Sequence, residues 1–283
     1  MNAPAYTSYS QISTFAECGE KYRLTRIVGV PEQNAYWFAG GSAVHAATEE
    51  IDREWYAKDS TVSKQYIDVQ VITDHTYVFN KHFDKEMEDW TETEEIRQSR
   101  NMGEDWWREH GPGMVTNYYL WLQATGYEIA TINDEPAIEL PVNGFMSEDN
   151  DSPIKGFVDR VYRTPSDSYM VADLKTGARL PNSPLQLGLY RAAILHEYGI
   201  DCDTGAYLMV KKDIRETHSS KYLHDLTGYD PAYVARHVTN LRRAIKADAF
   251  LPNTNHFCNS CGVREYCWAV NPGKTIKEIT SNE

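Results

Sequence analysis

The sequence predicts an α/β protein built on a mixed sheet. Two segments of strand character, IKGFVDRVYRT and YMVADLKTG, flank a PSDS turn and predict a β-hairpin. A clearly delimited helix follows in NSPLQLGLYRAAILHEYG, and a further strand follows in AYLMVKK. Strands that alternate with helices in this way indicate a mixed α/β core.

Composition bounds the class of protein. The chain has 283 residues, of which 41% are hydrophobic, so it is long enough to bury a substantial core. Its net charge of −13 argues against a passive nucleic-acid-binding module but not against an enzyme with a local basic groove. The N-terminus lacks a signal-peptide pattern and no apolar run is long enough for a membrane span, so an intracellular, cytoplasmic location is expected.

Two helices are predicted near the N-terminus. Ser10 is the predicted N-cap of the first, in which Ile12, Phe15 and Tyr22 form an apolar stripe. The second begins at a predicted glycine-rich turn, AGGS, and places His45 in its first turn.

The middle and the end of the chain also have helical character. Residues 58–130 predict helices interrupted by a turn at Gly111-Pro112-Gly113. For Trp106 and Trp107, packing in the core is favoured over base stacking. A last helix begins after Asp230, and its basic residues predict either a DNA-facing or a solvated surface; they are Arg236, Arg242, Arg243 and Lys246.

The hairpin brings charged side chains together. Asp173 and Lys175 share a strand face because side chains alternate with a period of two. If the loop consists of the five residues 164–168, Asp159 lies directly opposite Asp173, whereas a four-residue loop would put them on opposite faces. Two facing carboxylates favour a hard divalent cation, Mg²⁺ or Mn²⁺, which makes hydroxide available near neutral pH. The alternative is a structural ion pair with Lys175 or Arg160.

Six short motifs follow one another along the chain. Their residues are Ser10, Ile12, Phe15, Cys18 and Tyr22; Gly41 and His45; Gly156, Asp159 and Arg160; Asp173 to Gly177; Gln186 and Tyr190; and Cys258, Cys261 and Cys267. Taken together, these motifs resemble those of the RecB-like branch of the PD-(D/E)XK nuclease superfamily. The closest resemblance is to the iron–sulfur exonucleases of the CRISPR-associated Cas-four type.

The resemblance implies a set of roles. Asp159, Asp173 and His45 would bind the metal, with the backbone carbonyl of Leu174 as a further ligand, and Lys175 would be the catalytic lysine. Gln186 and Tyr190 would contact the active centre or the DNA backbone; in addition, Ser183 and Gln186 fit a capping box, and the alternative for Tyr190 is core packing.

The cysteines suggest a second metal site. Cys258, Cys261 and Cys267 lie close together in the sequence, and Cys18 is available as a fourth thiolate. Four cysteines suit Zn²⁺ or a [4Fe-4S] cluster, and the resemblance implies the cluster, joining the two ends of the chain. His256 is an alternative ligand, and Cys202 is predicted to be a buried small residue.

The resemblance implies a PD-(D/E)XK restriction-endonuclease-like core and a single nuclease domain over residues 1–283. Within it, 1–57 hold the N-terminal helices, 58–135 a helical insertion, 136–228 the nuclease core, and 229–283 the last helix and cysteine segment. The predicted function is a Mg²⁺- or Mn²⁺-dependent DNA exonuclease, favouring single strands, in recombination, repair or CRISPR-type processing, encoded by a cell or a virus. The alternative is a non-catalytic subunit with the same fold that acts through protein partners.

Overall fold

The computed structural model of the protein describes residues 4–58, 70–91, 95–146, 148, 152–212 and 222–273. The helices are α1 (Tyr9–Glu17), α2 (Gly19–Tyr22), α3 (Tyr36–Lys58), α4 (Gln70–Glu86), α5 (Glu104–Thr125), α6 (Leu185–Tyr198) and α7 (Pro231–Lys246). A π-helical segment (Arg23–Val28) extends α2, and short 3₁₀ segments cover His256–Ser260 and Arg264–Tyr266. The strands are β1 (Glu128–Ile129), β2 (Thr131–Ile132), β3 (Glu135–Pro136), β4 (Ile138–Met146), β5 (Pro153–Arg163), β6 (Tyr169–Leu174), β7 (Thr204–Leu208) and β8 (Leu223–Asp225).

The predicted mixed α/β class is confirmed. The main sheet of the described chain runs β1-β5-β6-β7-β8, and β4 also pairs with β5. All pairs in it are antiparallel except β6 and β7, which are parallel and are connected through α6. A parallel pair requires such a crossover, so α6 is held across the sheet with its N-terminus near the end of β6.

Helices cover the sheet on both faces. One apolar cluster combines the sheet with α1, α6 and α7, and its members include Ile12, Val161, Leu187 and Val238. The other combines the sheet with α3, α4 and α5 and is rich in aromatic side chains. Trp107 is buried in this second cluster, as predicted. In the described part of the chain, no helix combines the length and apolar character needed to cross a bilayer.

The predicted helix starts need correction. Ser8, not Ser10, is the N-cap of α1, since the Ser8 side chain accepts a hydrogen bond from the Gln11 backbone. The predicted glycine turn before His45 is helical, because α3 begins at Tyr36. Gly40 serves close packing instead, since a Cβ there would lie 2.1 Å from the Trp107 ring.

The predicted turn at Gly111-Pro112-Gly113 is also wrong, because these residues lie inside α5. A Cβ at Gly111 would lie 2.1 Å from the ring of Phe79, so the glycine allows α4 and α5 to pack closely. Tertiary packing of this kind overrides local propensity.

The predicted helical segment 58–135 is wrong at its end, where β1, β2 and the first residue of β3 lie. Residues 59–69 and 92–94 of that segment fall outside the described residues. Ile129 pairs with Tyr162, and the Ala130 amide donates to the Val161 carbonyl at 2.8 Å. Residues 128–130 therefore pair with the C-terminal end of β5 and form an edge of the sheet.

Candidate metal centre

The hairpin of β5 and β6 has the predicted odd-numbered loop. Arg160 pairs with Ala172 and Arg163 with Tyr169, which leaves the five residues 164–168 as the loop. In this register the next opposite pair is Asp159 and Asp173. Both side chains are buried, and the Asp159 Oδ2 atom accepts a hydrogen bond from the Leu174 backbone at 2.8 Å. The hairpin thus brings the two predicted carboxylates to one place.

Lys175 and Gln186 join Asp173. The Lys175 Nζ atom lies 2.5 Å from Asp173 Oδ2, and it donates to Gln186 Oε1 at 3.0 Å. The Gln186 amide nitrogen donates to Asp173 Oδ1 at 2.5 Å and to the Tyr190 hydroxyl at 3.0 Å. The Gln186 side chain therefore links the lysine, the carboxylate and Tyr190.

The predicted capping box at the start of α6 is absent. α6 begins at Leu185 with Pro184 as its N-cap residue, and Pro184 makes no side-chain capping bond. The Ser183 hydroxyl accepts from the Leu185 backbone at 3.2 Å, one residue earlier than a capping box requires. The Gln186 side chain instead hydrogen-bonds to Asp173 and Lys175. Its contacts therefore fit a role at the centre and not one in a capping box.

His45 and a carboxylate not predicted from the sequence complete the centre. His45 lies on α3, and its Nδ1 atom is 3.3 Å from Asp159 Oδ2. Ligand atoms of His45, Glu139 and Asp159 all lie within 4.8 Å of one another. Glu139 is on β4, where flanking pairs of residues, Ile138 with Arg160 and Leu140 with Val158, place it opposite Asp159. Its φ of 46° marks a local irregularity in β4.

The sequence contained a signal for Glu139. It is the one charged residue in AIELPV, an otherwise apolar strand segment, and a charge there has to be compensated or bound. In the structure it lies beside two other carboxylates, and burial is the main reason why its pKa is raised to about 7.

Electrostatics at the centre favour a cation. Burial, followed by the charge of Asp159, raises the pKa of Asp173 to about 7. Burial also raises the pKa of Asp159, and it lowers that of His45 to about 4, which keeps the imidazole neutral and able to bind a metal. Crowded carboxylate oxygens and a neutral imidazole fit Mn²⁺ or Mg²⁺ by ligand type. The residues present therefore fit a divalent metal.

A buried cation supports these carboxylates from the α3 side. The Arg160 guanidinium donates to Asp52 Oδ2 at 2.8 Å and to the backbone carbonyl of Asp159 at 2.6 Å. It also lies 3.7 Å from Glu139 Oε1. Asp52 accepts two further hydrogen bonds, from Tyr118 and Tyr119 at 2.9 and 3.1 Å. The resulting network fixes Arg160 next to the candidate metal ligands Asp159 and Glu139.

The cysteine segment returns to the N-terminal helices. The Gly19 amide donates to the Leu251 carbonyl at 3.0 Å, and the Asn253 side chain donates to the Glu17 carbonyl at 2.9 Å. The Asn253 backbone also contacts Cys18 Sγ at 3.4 Å. Cys18, Cys258, Cys261 and Cys267 are free thiols of intermediate burial. Among the described residues, no three sulfurs come within 4.8 Å of one another. Cys202 is buried, as predicted.

Two other predicted features contribute little to the centre. Trp106 stacks on His110, and Lys211 lies over its ring at 4.3 Å. On α7, Arg242 donates to the Pro4 carbonyl and Arg236 lies 3.9 Å from Glu148. These two arginines contact the protein itself, whereas the prediction of a DNA-facing surface stays untested.

A mixed sheet flanked by helices, with an acidic centre where α3, β4, β5 and β6 meet, is an arrangement that fits a metal-dependent hydrolase. The family model of the PD-(D/E)XK nuclease superfamily matches residues 6–268, so the chain belongs to that superfamily. Membership, together with the acidic centre, indicates a metal-dependent nuclease with a nucleic-acid substrate.

Two curated proteins are similar over most of their length. Each is described as "Gene 69 protein", one from Mycobacterium phage D29 and one from Mycobacterium phage L5. They are 27% identical to this chain over 279 and 295 residues, with 92% of this chain and 95% of each relative covered. The relatives of this chain thus include phage proteins.

Proposed function

We propose that this protein is a DNA exonuclease that hydrolyses phosphodiester bonds from the end of a single strand. The observation that carries the proposal is the convergence of His45, Glu139 and Asp159 beside the Asp173–Lys175 pair. His45, Asp159 and Asp173 would hold Mn²⁺ or Mg²⁺, with Glu139 and the Leu174 carbonyl as additional ligands. When bound, the ion would polarise the phosphate and lower the pKa of a water molecule.

Lys175 would act as a cation. The charge of Asp173 raises the pKa of Lys175 despite partial burial, so its ammonium group keeps its proton. It would therefore stabilise the charge that develops as water oxygen bonds to phosphorus and the P–O ester bond breaks. The attacking water would release a proton to solvent, and the departing oxygen would take one up from solvent. Gln186 would hold the ammonium in position through its hydrogen bond to Nζ.

The iron–sulfur part of the proposal concerns the cysteines. Cys18, Cys258, Cys261 and Cys267 would bind a [4Fe-4S] cluster that joins the chain ends, as in the Cas-four-type exonucleases the sequence resembles. Iron analysis and visible absorption of anaerobically purified protein test this, with Cys202→Ser as control for Cys18→Ser. A colourless, zinc-containing protein would contradict it.

The exonuclease proposal is tested with linear and circular single-stranded DNA of equal sequence, incubated with protein purified anaerobically and Mn²⁺. Degradation of the linear form with the circle intact is expected. Cleavage of the circle at a similar rate would contradict end dependence. Cleavage of neither form would favour the non-catalytic alternative, in which the protein acts through a partner; retention of every catalytic side chain argues against that alternative.

A further inference from the structure

A cavity of about 540 Å³ opens beside the metal centre. Gln186 and Tyr190 line it, and Gln186 is hydrogen-bonded to both Asp173 and Lys175. The cavity is therefore only one side chain away from the carboxylates and the ammonium group. A group bound in it would be attached to, or next to, the phosphate that the proposed function places at the metal.

The walls of this cavity combine flat rings with polar groups. Phe157 and Tyr6 line it and are 61% and 44% exposed, although large aromatic side chains are usually buried. The cavity is also lined by Lys155, which is exposed, and by Ser8 and Ser10, whose hydroxyl oxygens are 2.9 Å apart. Rings that stack on a base and polar groups that contact phosphate and sugar are the chemistry that binds an unpaired nucleotide.

The wall that carries Tyr6 and Ser8 is fixed to the sheet. Thr7, between them, donates from its amide to the Pro153 carbonyl and accepts from the Lys155 amide, each at 2.9 Å. The buried Thr7 hydroxyl contacts that of Ser152 at 3.0 Å. The cavity therefore exists before a ligand binds, which lowers the ordering cost of binding.

Gly156 leaves the floor of the cavity open. A Cβ at this position would meet only Val142, at 3.9 Å, which is an ordinary contact. The backbone and the packing therefore tolerate a side chain at position 156. The fold does not require glycine here, and its absent side chain leaves the cavity open. Gly156 also belongs to the motif that ends in Asp159 and Arg160.

We infer that this cavity, the nucleotide pocket lined by Tyr6, Ser8, Lys155, Gly156, Phe157 and Gln186, binds the terminal nucleotide of a single DNA strand. The inference rests on the proposed function for the identity of the nucleic acid. The base stacks on Phe157, the more exposed of the two rings, and the Lys155 ammonium neutralises a phosphate. A base inside a duplex has its faces covered by its neighbours, so the pocket selects unpaired ends.

Binding is measured by fluorescence anisotropy with a labelled single-stranded oligonucleotide, in Ca²⁺ and in the Asp173→Asn background, so that hydrolysis does not interfere. Phe157→Ala is the main variant, and Gly156→Val fills the pocket. Tyr77→Ala is the matched control, because Tyr77 is a ring on α4 with 72% exposure. Circular dichroism verifies folding, and Phe157→Ala alone decides the outcome if Gly156→Val fails to fold.

Loss of one stacking ring is expected to weaken binding roughly 5- to 150-fold, the range for removal of a base-stacking aromatic. Tyr77→Ala and a blunt duplex serve as references: the control variant should bind like the parent, and the duplex should bind more weakly. Equal binding by Phe157→Ala and the parent, no binding by the parent, or equal binding of duplex and single strand would each overturn the inference. Binding that depends on Phe157 in a protein that cleaves no DNA would refute only the proposed hydrolysis.

Discussion

Arg160 Nε and Asp52 Oδ2 are 2.8 Å apart, and neither side chain exposes more than 1% of its surface. An ion pair so deeply buried is costly to desolvate, and it is strongly destabilising to break because the remaining charge has no partner. Since Arg160 also binds the Asp159 carbonyl, this pair connects the stability of the fold to the geometry of the proposed metal ligands.

Asp52→Asn is expected to lower the free energy of unfolding by about 3–5 kcal/mol, because the buried guanidinium of Arg160 loses its closest carboxylate and keeps only Glu139 at 3.7 Å. The matched control is Glu49→Gln on the same helix. Its pair with Arg53 is partly exposed, so less than about 1 kcal/mol should be lost. Urea unfolding of metal-free protein measures both values, and equal losses would refute the special role of the buried pair.

Glu139→Gln is expected to weaken Mn²⁺ binding by at least about tenfold, since changes around a metal site typically cost 10–100-fold in affinity. The amide keeps the size of the side chain and removes its charge. Glu135→Gln is the control, because Glu135 is exposed on β3. Calorimetric titration with Mn²⁺ measures the affinity, and unchanged binding by Glu139→Gln would exclude Glu139 as a ligand.

The stability of the metal-free protein should fall as the pH rises from 6 to 8. Asp173 and Glu139 have a folded-state pKa of about 7, above their ordinary values, so the folded state retains protons that the unfolded state has lost. Their contribution is present below the unfolded pKa and is lost as the pH rises through about 7. His45 has a lowered pKa of about 4, so its contribution to stability increases as the pH rises towards 6.5, the ordinary pKa of histidine. This opposes the trend, but the combined effect of Asp173 and Glu139 is larger.

Mn²⁺ should weaken this fall in stability, because metal and protons compete for the same oxygens. Unfolding midpoints at pH 6 and pH 8, with EDTA and with Mn²⁺, give the comparison. Metal should stabilise the protein more at pH 8 than at pH 6. In a double variant, Asp173→Asn with Glu139→Gln, the unfolding midpoint should depend less on pH and less on Mn²⁺. A parent protein that Mn²⁺ stabilises equally at pH 6 and pH 8 would contradict this prediction.

Lys175→Met is expected to reduce kcat for DNA cleavage by about 10²–10³-fold, the usual loss when one group that stabilises transition-state charge is removed. Metal binding should persist, since Lys175 is not a ligand. Lys81→Met on α4 is the control and should leave kcat unchanged, because the Lys81 side chain is half exposed and pairs with Glu50. A loss of Mn²⁺ binding in Lys175→Met would point to a structural role instead.

The hairpin was predictable because its information is local. A period of two and a short turn determine which residues face one another, and Asp159 and Asp173 follow from that register. The end of α6 was also predictable, since a glycine after a helical segment is a common helix stop. In the structure Gly199 ends α6 with a φ of 70°.

Features that depend on tertiary contacts were not predictable. The glycines Gly40 and Gly111 have the local signature of turns, yet they lie in helices because bulky rings pack against them. Glu139 reaches the centre only through the pairing of β4 with β5, which is not visible in a single sequence. The side chain of Gln186 had two sequence interpretations, and only the position of β6 relative to α6 distinguishes them.

The most direct test of the metal-dependent nuclease is cleavage of end-labelled single-stranded DNA by the parent protein, Asp173→Asn and Asp167→Asn, each with Mn²⁺ and with EDTA. Asp167 lies in the exposed loop of the same hairpin, so it controls for substitution of a hairpin aspartate. The parent and Asp167→Asn should release labelled products only with Mn²⁺, and Asp173→Asn should release none. Cleavage that survives EDTA, or that is undiminished in Asp173→Asn, would contradict the assignment of the centre.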